Sequence, residues 1–384
     1  MSGGHRGSRL TRRLALAAGL IVAVALAIAA SSPASFSGAN GKIYFEGPEG
    51  SNSSGPGDIY SINPDGSGKI DLTEGLTTTD ERPAASADGQ HVVFQSFRDE
   101  GWNIIAMNSD GSSPVNLTKT EQPVVNFEPG WSPDGAKVTF MRQNLTPGEQ
   151  DIWVMNANGT GQVNLTQSPL ASETAPEFSP DGSKIVYMRA GEGDNNNVWV
   201  MNANGTNPTQ LTFTVSGSQK SVGTWSPDGS RIAFTQDSSS SPTTNGLYVM
   251  KANGEEQTQI LNGSAAIASG NISWSPDGTK LVYERSGSGG LFLVSPSGGA
   301  STTLESRLNT KFPSWVPVAT GSDSGSSTPP PSSGGSSTPP PATGGPVPGP
   351  TPPLKCKKSQ KKKVVKGKAK CVRRHKAHKH KPKH

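Results

Sequence analysis

Cysteine is almost missing from this chain of 384 residues: there are two, at 356 and 371, both close to the C-terminus. The first 355 residues therefore hold neither a disulfide staple nor a thiolate metal site. Histidine is nearly as scarce. Outside a leader and a tail the only one is His91, and a lone histidine there is expected at the surface. There is no Gly-x-Ser-x-Gly elbow, no His-Glu-x-x-His pair and no cysteine to act as a nucleophile, so no familiar catalytic constellation is present. Aromatic residues make up only 6% of the chain. Acidic residues are absent from 355–384, a stretch that carries 15 Lys and Arg.

The net charge of +5 conceals a division. Of 35 Lys and Arg, four fall in the leader and 15 in the tail, leaving 16 in the middle against all 30 Asp and Glu. An acidic body carries a basic end.

What the body does have is one phrase written repeatedly. Trp131-Ser132-Pro133-Asp134-Gly135, Phe178–Gly182, Trp225–Gly229 and Trp274–Gly278 are copies, and Ala85–Gly89 is a worn one. Their aspartates lie 46, 47, 47 and 49 residues apart, a period typical of propeller blades. Pro presets one turn position, Asp suits the next and Gly takes the left-handed one, so the recurring Asp is assigned to turn geometry rather than to a metal or an acid catalyst. The aromatic before the turn is assigned to packing between sheets.

After each turn comes an apolar strand such as Lys184–Met188, a polar loop, a second apolar strand such as Val198–Met201, and an edge segment ending in Leu-Thr. Strands apolar on both faces need cover on both sides, which stacked blades supply.

Gly41–Phe45 lacks a preceding strand and Phe312–Pro317 lacks a following blade. The expected fold is all-β: a six-bladed β-propeller over 41–318, closed by pairing of its N- and C-terminal strands, with 312–317 innermost in the blade of residues 42–73.

The Trp-Ser-Pro-Asp-Gly-x-x-Ile-x-Phe phrase, followed by Trp-Val-Met-Asn-x-x-Gly, resembles the WD40-like PD40 repeats of the TolB family. That resemblance covers roughly 41–318 and is specific for fold, not for activity. It implies relatives among periplasmic binding proteins and among the propeller lids of prolyl-peptidase-type enzymes.

Ligands of such rings are expected at the channel mouth, on the loops that enter the innermost strands. Asp80, Glu81, Arg82, Asn126, Glu128, Glu173, Lys220, Asn271 and Lys311 are the candidate binding residues. No catalytic residue, metal ligand or cofactor is expected.

Residues 1–34 read as an export signal: arginines at 6, 9, 12 and 13 precede an apolar run from Leu14 to Ala30. An uncleaved membrane anchor is the competing reading. Residues 319–354 form a Ser/Gly/Pro-rich spacer, expected to be disordered and to reach on the order of 100 Å when extended.

In the Lys/His-rich tail, 355–384, Cys356 and Cys371 are expected to close a small hairpin turning near Gly367. Lys357, Lys358, Lys361, Lys362, Lys363, Arg373 and Arg374 are expected to contact an anionic wall polymer or membrane surface. The expected function is that of an exported, monomeric, non-enzymatic protein whose ring binds a protein or peptide. The alternative is a hydrolase or lyase acting on cell-surface polymer, with Asp80, Glu81, Glu128 and Glu173 as its carboxylates.

Overall fold

The computed structural model describes residues 37–318, apart from short breaks at 49–56, 76–77, 146–148, 170, 192–195, 215–217, 239–241, 264–266, 286–288 and 308, together with 360–365 and 368–373. The expected leader and spacer, and Cys356, Lys357, Lys358 and Arg374, lie outside the described residues. Among those described, the only helical turn is Pro242–Thr244, and no helix is long and apolar enough to cross a membrane.

The body is built from antiparallel strand quartets. Three sheets of four run in chain order: 80–116, 218–262 and 267–305. A sheet of eight consists of two further quartets, 124–164 and 172–210, joined by a single parallel pairing of Gln150 with Ser172. In the remaining sheet Lys311–Pro317 lies beside Asn40–Pro48, with Trp315 opposite Ile43, and two strands from 57–71 complete it.

The turn phrase folds the same way each time. In Ser179-Pro180-Asp181-Gly182 the Ser179 hydroxyl donates to Asp181 at 2.5 Å and accepts the Lys184 N–H at 2.9 Å, and Asp181 accepts the Ser183 N–H at 3.0 Å. Gly182 takes φ +69°, a conformation open to glycine at little cost. The worn copy keeps the clasp, with Ser86 donating to Asp88 and accepting from His91. At Asp134 the Ser132 hydroxyl and the Ala136 N–H hold the carboxyl below its usual range. Each Asp helps to shape its own turn.

The Leu-Thr ending has an equally local cause. The outer strands are only two residues long in four quartets, for example Val115–Asn116. Beyond them Thr118 takes over: its hydroxyl accepts the Ile104 N–H and donates to Asn103. Thr73, Thr166 and Thr212 do the same for Ile59, Ile152 and Val198.

The middle strands are buried on both faces, and the core lies between quartets rather than within them. Trp225 packs with Ile232 and Phe234 of its own sheet against Val186, Val198 and Val200 of the preceding one. Trp131 sits likewise between Val93, Ile104 and Val138, Phe140. Trp315, Ile43 and Phe45 pack against Val282, Leu291 and Leu293. Burying a large aromatic in such a seam contributes on the order of 3 kcal/mol relative to leaving it exposed.

The tail unit is a separate hairpin. Gln360–Val365 pairs with Lys368–Arg373, and Lys362 lies opposite Cys371.

Candidate functional site

The innermost strands present one free edge to the centre of the propeller, and each carries an extra residue there. Pairing slips between Glu81 and Ala84, Phe127 and Gly130, and Thr174 and Glu177, and again where Lys311–Pro317 meets the first strand. The residue in each of these four slips is left-handed: Arg82 at φ +52°, Glu128 at +55°, Ala175 at +52° and Phe312 at +51°. None is glycine, so each holds backbone strain of roughly 1–2 kcal/mol. Proline follows each one, at 83, 129, 176 and 313, and brings no backbone N–H that would need a partner.

These bulge residues meet. The Arg82 guanidinium lies 3.9 Å from the centre of the Phe312 ring and 3.1 Å from Glu128. Glu128 in turn accepts the Ala175 N–H at 2.6 Å, and its own N–H donates to Gln95. Gln95 also donates to Glu81 at 2.8 Å. Glu46, buried behind them, has one oxygen 3.5 Å from Lys311 and the other without a hydrogen bond among the described residues. Burial, reinforced by the neighbouring Glu81 and opposed by Lys311 and Arg82, pushes the Glu46 carboxyl up to about 7.

Of the residues singled out in the sequence, Glu81, Arg82, Glu128 and Lys311 thus gather at one mouth. Asp80, Asn126 and Glu173, two residues before the bulge, are fully buried instead. Asp80 pairs with Arg98 at 2.9 Å and accepts from Ser96. Asn126 accepts from Arg142 at 2.8 Å, and Glu173 lies 3.5 Å from Arg189. They clip the innermost strand to the next one. Lys220 and Asn271 lie in the strands Ser218–Trp225 and Ile267–Trp274, but their side chains lie outside the described residues. No group of three or more His, Cys, Asp or Glu that could hold a metal occurs among the described residues.

Behind the mouth are two cavities of about 150 and 130 Å³, the first bounded by Arg82, Glu128 and Phe312, the second by Trp131, Trp225, Trp274 and Trp315. They share Ala84, Pro129, Pro176, Glu177, Ser273 and Ser314 and so form one channel.

A belt of hydrogen bonds crosses from strand to strand in its wall. Ser314 Oγ accepts the Ala85 N–H and Ser273 Oγ accepts the Trp315 N–H, both at 3.1 Å. Glu177 holds the corresponding place further round: its Oε1 accepts the Trp225 N–H at 3.1 Å and the Thr224 hydroxyl at 3.0 Å. Burial pushes its carboxyl up to about 7 despite those two donors. Sequence reasoning passed over Glu177. Setting the copies side by side would have exposed it, because Ala84, Gly130, Thr224, Ser273 and Ser314 fill the same place and none is charged.

The far end of the channel meets the turns. There the segment preceding the first strand is pinned by Gly38, whose N–H donates to Pro276, and by Asn40, which donates to Asp277 at 2.9 Å. Ser37 reaches a cavity of about 630 Å³ lined also by Trp225, Pro227 and Asp228.

Comparison with known proteins agrees with this architecture. The PD40 family, a TolB beta propeller domain, matches residues 119–319. TolB from Acinetobacter baumannii superposes with a TM-score of 0.62 at 20% identity, over 72% of this chain and 67% of that one. A putative TolB from Agrobacterium tumefaciens gives 0.55 at 18%, over 73% and 100%. Hydrazine synthase from Kuenenia stuttgartiensis gives 0.58 at 15%, over 73% and 47%. Among curated proteins no sequence match is found. Identities this low speak to the fold alone, whereas the family match spans more than half of the sequence: the chain belongs to the TolB β-propeller family.

Proposed function

We propose that this is an exported binding protein whose propeller takes a protein or peptide at the bulge mouth, without catalysing a reaction. The observation that carries the reading is the convergence of Arg82, Glu128 and Phe312, strained and non-repeating, on a frame whose other turns are copies of one another. Strain retained in ordinary side-chain-bearing residues around one opening is characteristic of binding sites. The polymer-cleaving alternative needs carboxylates that converge on a substrate. The burial of Asp80 and Glu173 in clips with arginines favours binding over that alternative.

In this reading six blades form a closed ring. The pairing of Trp315 with Ile43 and the seam joining Val282 and Leu293 to Phe45 support it. Residues 1–34 direct export, 41–318 make the ring, 319–354 act as a spacer, and the tail of 355–384 contacts an anionic wall polymer or membrane surface.

The test uses the full chain as bait in an envelope extract. Capture of a specific partner that is lost in Arg82→Ala and Glu128→Ala supports the mouth; capture unchanged in both variants refutes it. For the tail, cell-wall retention of the whole protein is compared with that of a chain ending at Gly321. Equal retention removes the tail from the proposal.

A further inference from the structure

Glu177 is out of keeping with its surroundings. Among the described residues it is the one charged side chain lining the inner cavity, amid Ala84, Ala85, Pro129, Pro176 and four tryptophans. Its hydrogen bond to the next strand does not require a carboxylate, because Ser273 and Ser314 make the equivalent bond with a hydroxyl. An ionised group in an apolar wall costs free energy that a serine would avoid. Oε1 is occupied by Thr224 and Trp225, while Oε2 makes no further hydrogen bond among the described residues. The wall therefore keeps one carboxyl oxygen open to a ligand, in an inner cavity whose other described lining residues carry no charge.

We infer that the channel is a receptor for a primary alkylammonium group, with Glu177 as its counter-ion. The inference rests on the proposed binding role and names the chemistry the partner must bring.

Several features select this ligand. The two cavities together suit a slender side chain rather than a folded element: a four-carbon stem would lie against Phe312, Pro129 and Pro176, and its head would reach Glu177 where the two cavities meet. A guanidinium would demand both carboxylate oxygens in a fork, and one is already taken. An ammonium is a compact donor of three hydrogen bonds and can also use the hydroxyl oxygens of Ser273 and Ser314. The mouth gives access, since its cavity is continuous with the inner one. On the way in, the charged groups among the described residues of the channel wall are Arg82 and Glu128, which are paired with each other.

Two sources share this chemistry: a lysine on a protein or peptide, and a free amine. The experiment titrates the intact protein by calorimetry with three probes: acetyl-Gly-Ser-Lys-Ser-Gly-amide, the same peptide with Nε-acetyl-lysine, and n-butylammonium chloride. The lysine peptide is expected to bind at least about tenfold more tightly than its acetylated form, a difference of about 1.4 kcal/mol. Glu177→Gln, which keeps a carbonyl for the Trp225 N–H, should remove that preference while the melting profile stays cooperative.

Butylammonium matching the peptide assigns the site to free amines; peptide alone binding assigns it to lysine side chains. Either result upholds the ammonium site. Equal binding of free and acetylated lysine, an unaffected Glu177→Gln, or no binding of any probe overturns it. Partner capture by the full chain separates this inference from the broader one. Capture that survives Glu177→Gln while the probes fail sinks the ammonium site and leaves the binding role standing.

Discussion

The two ends of the innermost strands use similar residues for opposite purposes. At the turn end, serine and aspartate close on each other and on backbone N–H groups five times over. At the bulge end, no two described positions are alike: arginine, glutamate, alanine and phenylalanine occupy the same strained site. Identical geometry with identical residues marks a scaffold; identical geometry with different residues marks a surface free to specialise. Changes at the turn end should therefore cost stability without affecting capture, and changes at the mouth should do the reverse.

The sharpest challenge to that division is a clip that lies beside the mouth yet belongs to the scaffold. Arg98→Met strips the partner from the buried Asp80 and should cost about 3–5 kcal/mol in urea unfolding at pH 7. Burial already raises the Asp80 carboxyl, and it can take up a proton, so the loss should shrink toward pH 4. A loss below 1 kcal/mol at pH 7 would show that the clip is dispensable.

Glu46→Gln should act in the opposite direction. In the fold its carboxyl is raised from 4.5 to about 7, so as pH climbs between those values the unfolded chain ionises first and stability falls. The amide removes that fall. The variant should gain about 1–3 kcal/mol at pH 8 and nothing at pH 4, read from paired denaturant curves. Glu177, raised for the same reason, predicts the same sign for Glu177→Gln.

A smaller loss is expected at the turns. Ser226→Ala removes the clasp to Asp228 and the acceptor for the Arg231 N–H, costing about 1–2 kcal/mol with capture intact. The smallest change should come from Ala175→Gly, which relaxes a left-handed residue at the cost of one methyl packed against the seam of Val186 and Trp225. A gain of about 0.5–1 kcal/mol in melting experiments is expected; a loss would mean that the bulge is not strained.

The repeat plan was legible because Ser-Pro-Asp-Gly writes its turn chemistry in the open, and the strands around it are apolar enough to demand cover on both faces. The family followed from the same residues. The lining of the mouth was only half legible. Asp80, Asn126 and Glu173 looked equivalent to Arg82 and Glu128 because an inserted bulge leaves no mark in composition, yet it changes which side chains reach the centre. Lys311 was found, whereas Phe312 beside it, which carries the stacking surface for Arg82, read as ordinary strand. Glu177 was hidden by its position just before the aromatic, where attention falls on the packing residue.

The threonines that finish four of the outer strands carry one more consequence. Because Thr73, Thr118, Thr166 and Thr212 cap the ladder with a hydroxyl after only two paired residues, those four stretches of the rim offer a visiting peptide hardly any backbone to align with. A protein put together from more than twenty strands thereby leaves little of that perimeter on which a neighbour could zip.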